Sequence, residues 1–129
     1  MENRNVLIDS HVLIWLLYEP ANLHPDAIGL LEDADAVFVS LVSFWELALM
    51  HQEGKLAYNS DDLMKGAEAS SLQFLTLSPT HIRELSKIKL EHAAPIDALL
   101  LAQAKVEKCV FITADKYILA SNYRTQNAA

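Results

Sequence analysis

Four acidic side chains in this sequence sit where a carboxylate can do more than solvate a surface: Asp9, Glu46, Asp97 and Asp115. Asp9 follows the apolar run Asn5-Val6-Leu7-Ile8 and precedes Ser10-His11-Val12-Leu13-Ile14-Trp15. An apolar run ending at an acid, then a serine able to cap a helix, reads as strand, turn and helix, with Asp9 at the strand tip. Asp115 repeats the arrangement behind Val110-Phe111-Ile112-Thr113. Glu46 is the sole charge between Leu41 and Met50, a segment apolar enough that a helix there must be largely buried, so its carboxylate needs a partner. Asp97 follows Pro95 by two residues, in the first turn of a helix with equally apolar surroundings.

Each acid also has an ordinary structural reading. Asp9 and Asp115 can be turn or cap residues, and Ser43-x-x-Glu46 fits a capping box. Asp97 can stabilise a helix N-terminus by about 0.3–1 kcal/mol. The four together are harder to dismiss. In a parallel α/β sheet, strand C-termini and helix N-termini share one edge, where ligands bind, so two strand-tip acids and two helix-start acids can meet in one crevice. Crowded carboxylates repel and raise one another's pKa, and a divalent cation resolves the conflict. Hard oxygen ligands with no cysteine or histidine pair select Mg²⁺ or Mn²⁺ over Zn²⁺. An open carboxylate-held ion of this kind suits phosphodiester hydrolysis.

The elements that must position these acids follow from the same patterning. Strands are expected at 5–8, 36–39, 74–77 and 110–113, with a short edge strand around Tyr123–Thr125. Between them, a helix is expected to start at Ser10 and another near Pro25. Ser40 or Ser43 should open a third that stops at Gly54, and Ser60-Asp61-Asp62 should cap a fourth reaching about Leu72. A helix opened by Pro79 should bury Ile82, Leu85 and Ile88, and a last one should run from Pro95 to about Lys108. Leu90 to Ala94, including His92, reads as loop. Strands alternating with helices imply a three-layer α/β/α sandwich around a mostly parallel four- or five-stranded sheet.

The 129 residues are one domain's worth, read as a single unit over 1–129. With 52% apolar and 21% charged residues, the composition is that of a globular chain and excludes a disordered one. No apolar run is long enough to span a membrane and the start does not resemble a signal peptide. One cysteine, Cys109, excludes an internal disulfide framework, and its apolar neighbours make it a buried, inert thiol. These features point to a reducing, cytoplasmic setting. The net charge of −7 argues against broad attachment to nucleic acid through a basic surface and favours a basic partner. The three glycines form no phosphate-cradling loop.

Val6-Leu7-Ile8-Asp9-Ser10-His11-Val12-Leu13-Ile14-Trp15, Ser43-Phe44-Trp45-Glu46-Leu47, Gly54-Lys55-Leu56, Pro95-Ile96-Asp97 with Leu100 to Ala104, and Thr113-Ala114-Asp115 together resemble the PIN domain, most closely its VapC-type toxin branch. The resemblance runs in order to about residue 120. It implies a Mg²⁺/Mn²⁺-dependent endoribonuclease acting on RNA such as tRNA, a cognate antitoxin as inhibitor, and a homodimer. By position, it makes Asp9, Glu46, Asp97 and Asp115 the catalytic quartet, with Asp9, Asp97 and Asp115 on the metal and Thr113 in support. On its position two residues after Asp9, His11 is expected in a supporting role, either helping to hold substrate or water or packing near the site rim. A basic, helical antitoxin tail would suit an acidic, apolar toxin.

The chain departs from the branch pattern at Ala94 and Ala98, where an Asp and an Arg are usual, and it lacks an apolar final strand. Those departures motivate an alternative: a PIN-like binding module with little or no activity that works through its partner. A phosphorylated receiver domain fits poorly, because Asp9 has no acidic neighbour and Lys116 is badly placed. Trp15, Phe44 and Trp45 fall in helical apolar runs and read as core or interface aromatics. Lys105 and Lys108 share a helical face with Asp97, a solvated face able to touch RNA backbone.

Overall fold

A computed structural model describes residues 4–90 and 94–129. In chain order these form β1 (Asn5–Ile8), α1 (Ser10–Tyr18), α2 (Pro25–Asp33), β2 (Ala36–Ser40), α3 (Leu41–Gln52), α4 (Ser60–Ala69), β3 (Gln73–Leu75), α5 (Pro79–Leu85), α6 (Pro95–Val106), β4 (Val110–Thr113), α7 (Lys116–Leu119) and β5 (Thr125–Asn127), with a 3₁₀ turn at Pro20–Asn22. The sheet order is β3-β2-β1-β4-β5 and every pairing is parallel. The expected three-layer α/β/α sandwich is what forms.

β1 lies at the centre, and its side chains alternate between two cores. Val6 and Ile8, with Ile112 of β4, pack under Val12 and Leu13 of α1, Phe44 and Leu47 of α3, and Leu63 and Ala67 of α4. Leu7 and Phe111 face Leu100, Leu101 and Ala104 of α6 and Ile118 of α7. Burial on both faces explains why β1 reads as a continuous apolar run. The chain winds outward from β1 through β2 to β3, then returns to place β4 on the other flank of β1. The C-terminal edge between β1 and β4 is therefore the topological switch point, where open α/β sheets bind ligands.

Several local expectations shift. Asp9, not Ser10, caps α1. Ser40 caps α3, so Ser43 is already inside the helix and makes no capping box with Glu46; its buried hydroxyl has no hydrogen-bond partner. Asn59 caps α4, which ends at Ala69. β3 is one residue earlier and shorter than expected. On α5 the buried position belongs to His81, while Ile82 is 48% exposed. His81 is accommodated because Ser78 N–H donates to its Nδ1 (3.0 Å) and its Nε2 meets Glu107 Oε2 at 2.8 Å, which ties α5 to the end of α6. Residues 91–93, with the expected loop position of His92, lie outside the described residues.

Three helices end in the same left-handed cap. At α3, Gly54 N–H donates to His51 O and Lys55 N–H to Met50 O. The same pattern runs through Ser71 and Leu72 after α4, and through Lys108 and Cys109 after α6. Gly54 takes its positive φ (75°) without strain, whereas Ser71 (62°) and Lys108 (57°) carry a Cβ into that region. Lys108→Gly should raise stability by about 0.5–1 kcal/mol, seen as a higher midpoint in urea with an unchanged slope; a lower midpoint would contradict the cap strain.

The edge strand exists but sits two residues later than expected, over Thr125–Asn127. It is polar, and backbone pairing with Phe111–Thr113 holds it, followed by buried Ala128, whose N–H donates to Thr113 O and whose carbonyl accepts from His24 N–H.

Candidate functional site

The C-terminal edge of the sheet opens into a cleft of about 350 Å³ lined by Asp9, Ser10, His11, Trp15, Glu46, Asp97, Ala114 and Asp115. The structure thus brings together all four acids singled out in the sequence, from four different segments.

Asp9 is fixed at both oxygens. Its Oδ1 accepts from Val12 N–H (2.9 Å), closing the first turn of α1, and its Oδ2 accepts from the Thr113 hydroxyl (2.5 Å). Its backbone N–H donates to Ile112 O on the neighbouring strand. Asp9 is therefore a helix cap and a cleft-lining carboxylate at once. Burial raises its pKa; hydrogen bonds from Thr113 and Val12 and the charge of His11 oppose that, and Glu46 adds to it. Thr113, fully buried at the end of β4, also accepts Asp115 N–H at 3.1 Å, so one hydroxyl sets the spacing of the two strand-tip acids. Asp115 Oδ1 caps the short α7 through Tyr117 and Ile118 N–H.

Asp97 enters as the third residue of α6. Its carboxyl is pushed up to about 7, first by burial, then by a hydrogen bond to Asp115 and by the charges of Asp115, Asp9 and Glu46. Glu46 lies in the second turn of α3, not the first as expected. Its partner is Ser10, whose hydroxyl donates to Oε1 at 2.6 Å. Among the described residues, no lysine or arginine forms an ion pair with any of the four acids. Like-charge crowding is therefore relieved within the cleft by the proton on Asp97, by the charge of His11 and by a few hydroxyl and amide donors.

No three acidic, histidine or cysteine side chains among the described residues are drawn into a preformed metal cage. The donor set nonetheless fits a hard divalent cation. All four side chains offer oxygen, the cleft has room for waters, and Mg²⁺ is usually held by one or two carboxylates with water completing its shell.

Sequence reasoning missed two residues here. Ser10 was assigned to capping, whereas it holds Glu46. The apolar helical run around Trp15 points to core or interface packing, whereas Trp15 lines the cleft as well as packing on the core. The available signal is spacing: His11 and Trp15 are four apart on a helix capped by Asp9. Phe44 is buried, edge-on to Phe74 at 5.1 Å, and Trp45 is 57% exposed. Lys105 is held by Glu84 (3.4 Å) and lies 6.0 Å from the Tyr123 ring centroid, and Lys108 lies past the end of α6, off the face that carries Asp97. Cys109 is buried as expected, its thiol pushed up to about 11 chiefly by burial.

The PIN domain family matches residues 6–121. No curated protein matches the chain. Among solved structures, VapBC2 from Rickettsia felis, bound to a DNA fragment from its promoter, aligns with a TM-score of 0.69 at 12% identity, covering 97% of this chain and 99% of that one. A toxin–antitoxin complex from Klebsiella pneumoniae aligns with a TM-score of 0.61 at 18% identity, covering 95% and 96%. FitAcB from Neisseria gonorrhoeae aligns with a TM-score of 0.61 at 19% identity, also covering 95% and 96%. These likenesses establish the fold, and the match over residues 6–121, which takes in every acid of the cleft, shows that the chain belongs to the PIN domain family.

Proposed function

We propose that this chain is a Mg²⁺- or Mn²⁺-dependent endoribonuclease, the toxin of a toxin–antitoxin pair, working through Asp9, Glu46, Asp97 and Asp115. The observation that carries this reading is the crowding around Asp97, whose carboxyl stands near 7 because it is buried and because three other acids face it in one open cleft. Structural ion-pair networks do not explain such crowding, since no lysine or arginine among the described residues pairs with any of the four acids. Family membership supports nuclease chemistry, PIN domains being generally nucleases. The toxin–antitoxin complexes among the similar folds support an antitoxin partner. RNA, tRNA included, as the substrate, a homodimer and a cytoplasmic location belong to the same reading. No helix among the described residues is long and apolar enough to cross a membrane.

Asp9, Asp97 and Asp115 would hold the ion. When bound, it polarises the phosphate and makes water acidic enough to attack at neutral pH. The chain's own work is positioning. Thr113 and Val12 N–H fix Asp9, each Asp9 oxygen accepting one bond and so keeping a further lone pair. Ser10, next to Asp9, holds Glu46. Asp115 is set by Thr113 and by its own capping bonds, and the proton that Asp97 holds must leave before that carboxyl can act as a ligand.

The test is calorimetric and enzymatic together. Mg²⁺ or Mn²⁺ should bind the wild type, and Asp9→Asn should lose both the binding and RNA cleavage. Metal binding and cleavage that survive Asp9→Asn refute the assignment. The absence of Arg at position 98, an alanine here, favours a second reading, a binding module with weak or no activity; a folded wild type that binds no metal and cuts no RNA would select it.

A further inference from the structure

We propose that Arg4 and Arg124 form an anion site at the N-terminal edge of the sheet, opposite the acidic cleft, and that its ligand is inorganic phosphate, an oxyanion that brings its own proton. The inference stands apart from the nuclease reading and uses none of its residues. A pocket of about 70 Å³ there has Arg4, Arg124 and Asp33 around a floor of Val6, Leu30 and Val110. From Asn5, where β1 starts, to Asp9 is about 13 Å of strand, so the two sites are separate. Two of the chain's three arginines meet at this pocket in a chain of net charge −7. Val6 pairs with Val110, and Phe111 N–H donates to Arg124 O, so the arginine roots flank β4 on the order of 10 Å apart, a span two such side chains can close. Both roots are fixed by backbone bonds: Arg4 N–H donates to Asp35 Oδ2 (3.0 Å), and Arg4 O accepts Asp35 N–H. The guanidiniums are not so held. Among the described residues neither forms an ion pair or a hydrogen bond, so each keeps its fork of donors for an oxyanion.

Size and the third polar wall decide which anion fits. The volume is that of about two waters at roughly 30 Å³ each, enough for a small tetrahedral ion and too little for a nucleotide. Asp33 is the last residue of α2, so the pocket meets both a carboxylate and the negative end of that helix. That wall repels a bare anion and welcomes a hydrogen-bond donor. Inorganic phosphate keeps at least one P–OH at neutral pH. It can donate that proton to Asp33 while its remaining oxygens accept from the two arginines. Sulfate and a phosphodiester carry no such proton, and a phosphate monoester, with its second pKa of about 6, has mostly lost it at pH 7.

The test is isothermal titration of the metal-free protein at pH 7, a state in which the acidic cleft repels anions. The probes are inorganic phosphate, sulfate, methyl phosphate and dimethyl phosphate. One phosphate should bind per chain and raise the Tm as it saturates. The other three should bind about 10-fold more weakly or less well still. Arg4→Met and Arg124→Met, which keep an apolar stem, should each weaken phosphate binding about 10-fold or more. Asp33→Asn, whose amide can donate to a bare oxyanion, should bring sulfate level with phosphate. Should an arginine variant fail to fold, lysine at the same position keeps the charge, loses the fork and should again bind phosphate more weakly. RNA cleavage in Mg²⁺ or Mn²⁺ should be the same in these variants as in the wild type, so the phosphate site and the nuclease reading stand or fall separately. No binding of millimolar phosphate, equal affinity of the wild type for phosphate and sulfate, or unchanged affinity in both arginine variants overturns the proposal. Arg4 and Arg124 would then be counter-charges to the end of α2.

Discussion

Asp97→Asn is expected to abolish RNA cleavage and, in the absence of metal, to make the protein more stable at neutral and alkaline pH. The Asp97 carboxyl is raised from 3.8 to about 7 by burial and by Asp115, Asp9 and Glu46. Between those values the unfolded chain has released this proton while the folded chain still holds it. Stability contributed by the protonated group is full below pH 4 and is lost as pH rises toward and through 7. The side chain is only half-buried, so solvent screening discounts the effect to about 1 kcal/mol, a few degrees in Tm. Asparagine carries no charge at any of these pH values. The Tm of the variant should therefore fall less from pH 5 to 8 than that of the metal-free wild type, the burial-raised Asp9 contributing to both. The same displaced proton predicts that metal binding near pH 7 releases up to one proton in the wild type, read from the buffer dependence of the binding enthalpy, and less in Asp97→Asn. On expression, growth inhibition should be relieved. A variant that is less stable than the wild type at pH 8, or still toxic, would sink this account of the cleft.

Thr113→Val is expected to lower stability by about 2 kcal/mol at pH 7 and to reduce cleavage, although its shape barely changes. Thr113 is fully buried, donates to Asp9 Oδ2 and accepts Asp115 N–H. Valine removes both bonds and leaves a buried carboxylate oxygen and a backbone N–H short of a partner. Because the Thr113 hydrogen bond lowers the pKa of Asp9, its loss raises that pKa further. The added instability should then shrink at low pH, where Asp9 is neutral, and Thr113→Ser should recover most of it. Urea midpoints at pH 4.5 and 7.5 for the three proteins measure this. A valine variant equal to wild type at both pH values would mean that Thr113 has no part in ordering the acids.

The backbone architecture was legible because its signals are local. Asn5–Ile8 and Val110–Thr113 are short apolar runs that end at a carboxylate or one residue before it, and strands so placed become central and parallel when helices alternate with them. Pro25, Pro79 and Pro95 each open the helix expected of them. What was misjudged depends on partners far away in sequence. The cap of α3 could be Ser40 or Ser43 on local grounds, and the partner of Glu46 proved to be Ser10, thirty-six residues distant. Ile82 looked like the buried residue of α5, yet His81 takes that place because Glu107, on another helix, meets its ring. β5 is polar and is a strand only because β4 offers it an unpaired edge.

The sequence by itself determined the four carboxylates, the strands and helices that carry them, and the sheet edge on which they fall, because chain direction and helix polarity are local properties. Only the tertiary structure decided how close those carboxylates stand, which of them is pushed toward neutrality, and what else faces them. Those depend on the order β3-β2-β1-β4-β5, which sets the tips of β1 and β4 side by side, lets one hydroxyl from Thr113 reach both, and turns His11 and Trp15 toward the same cleft.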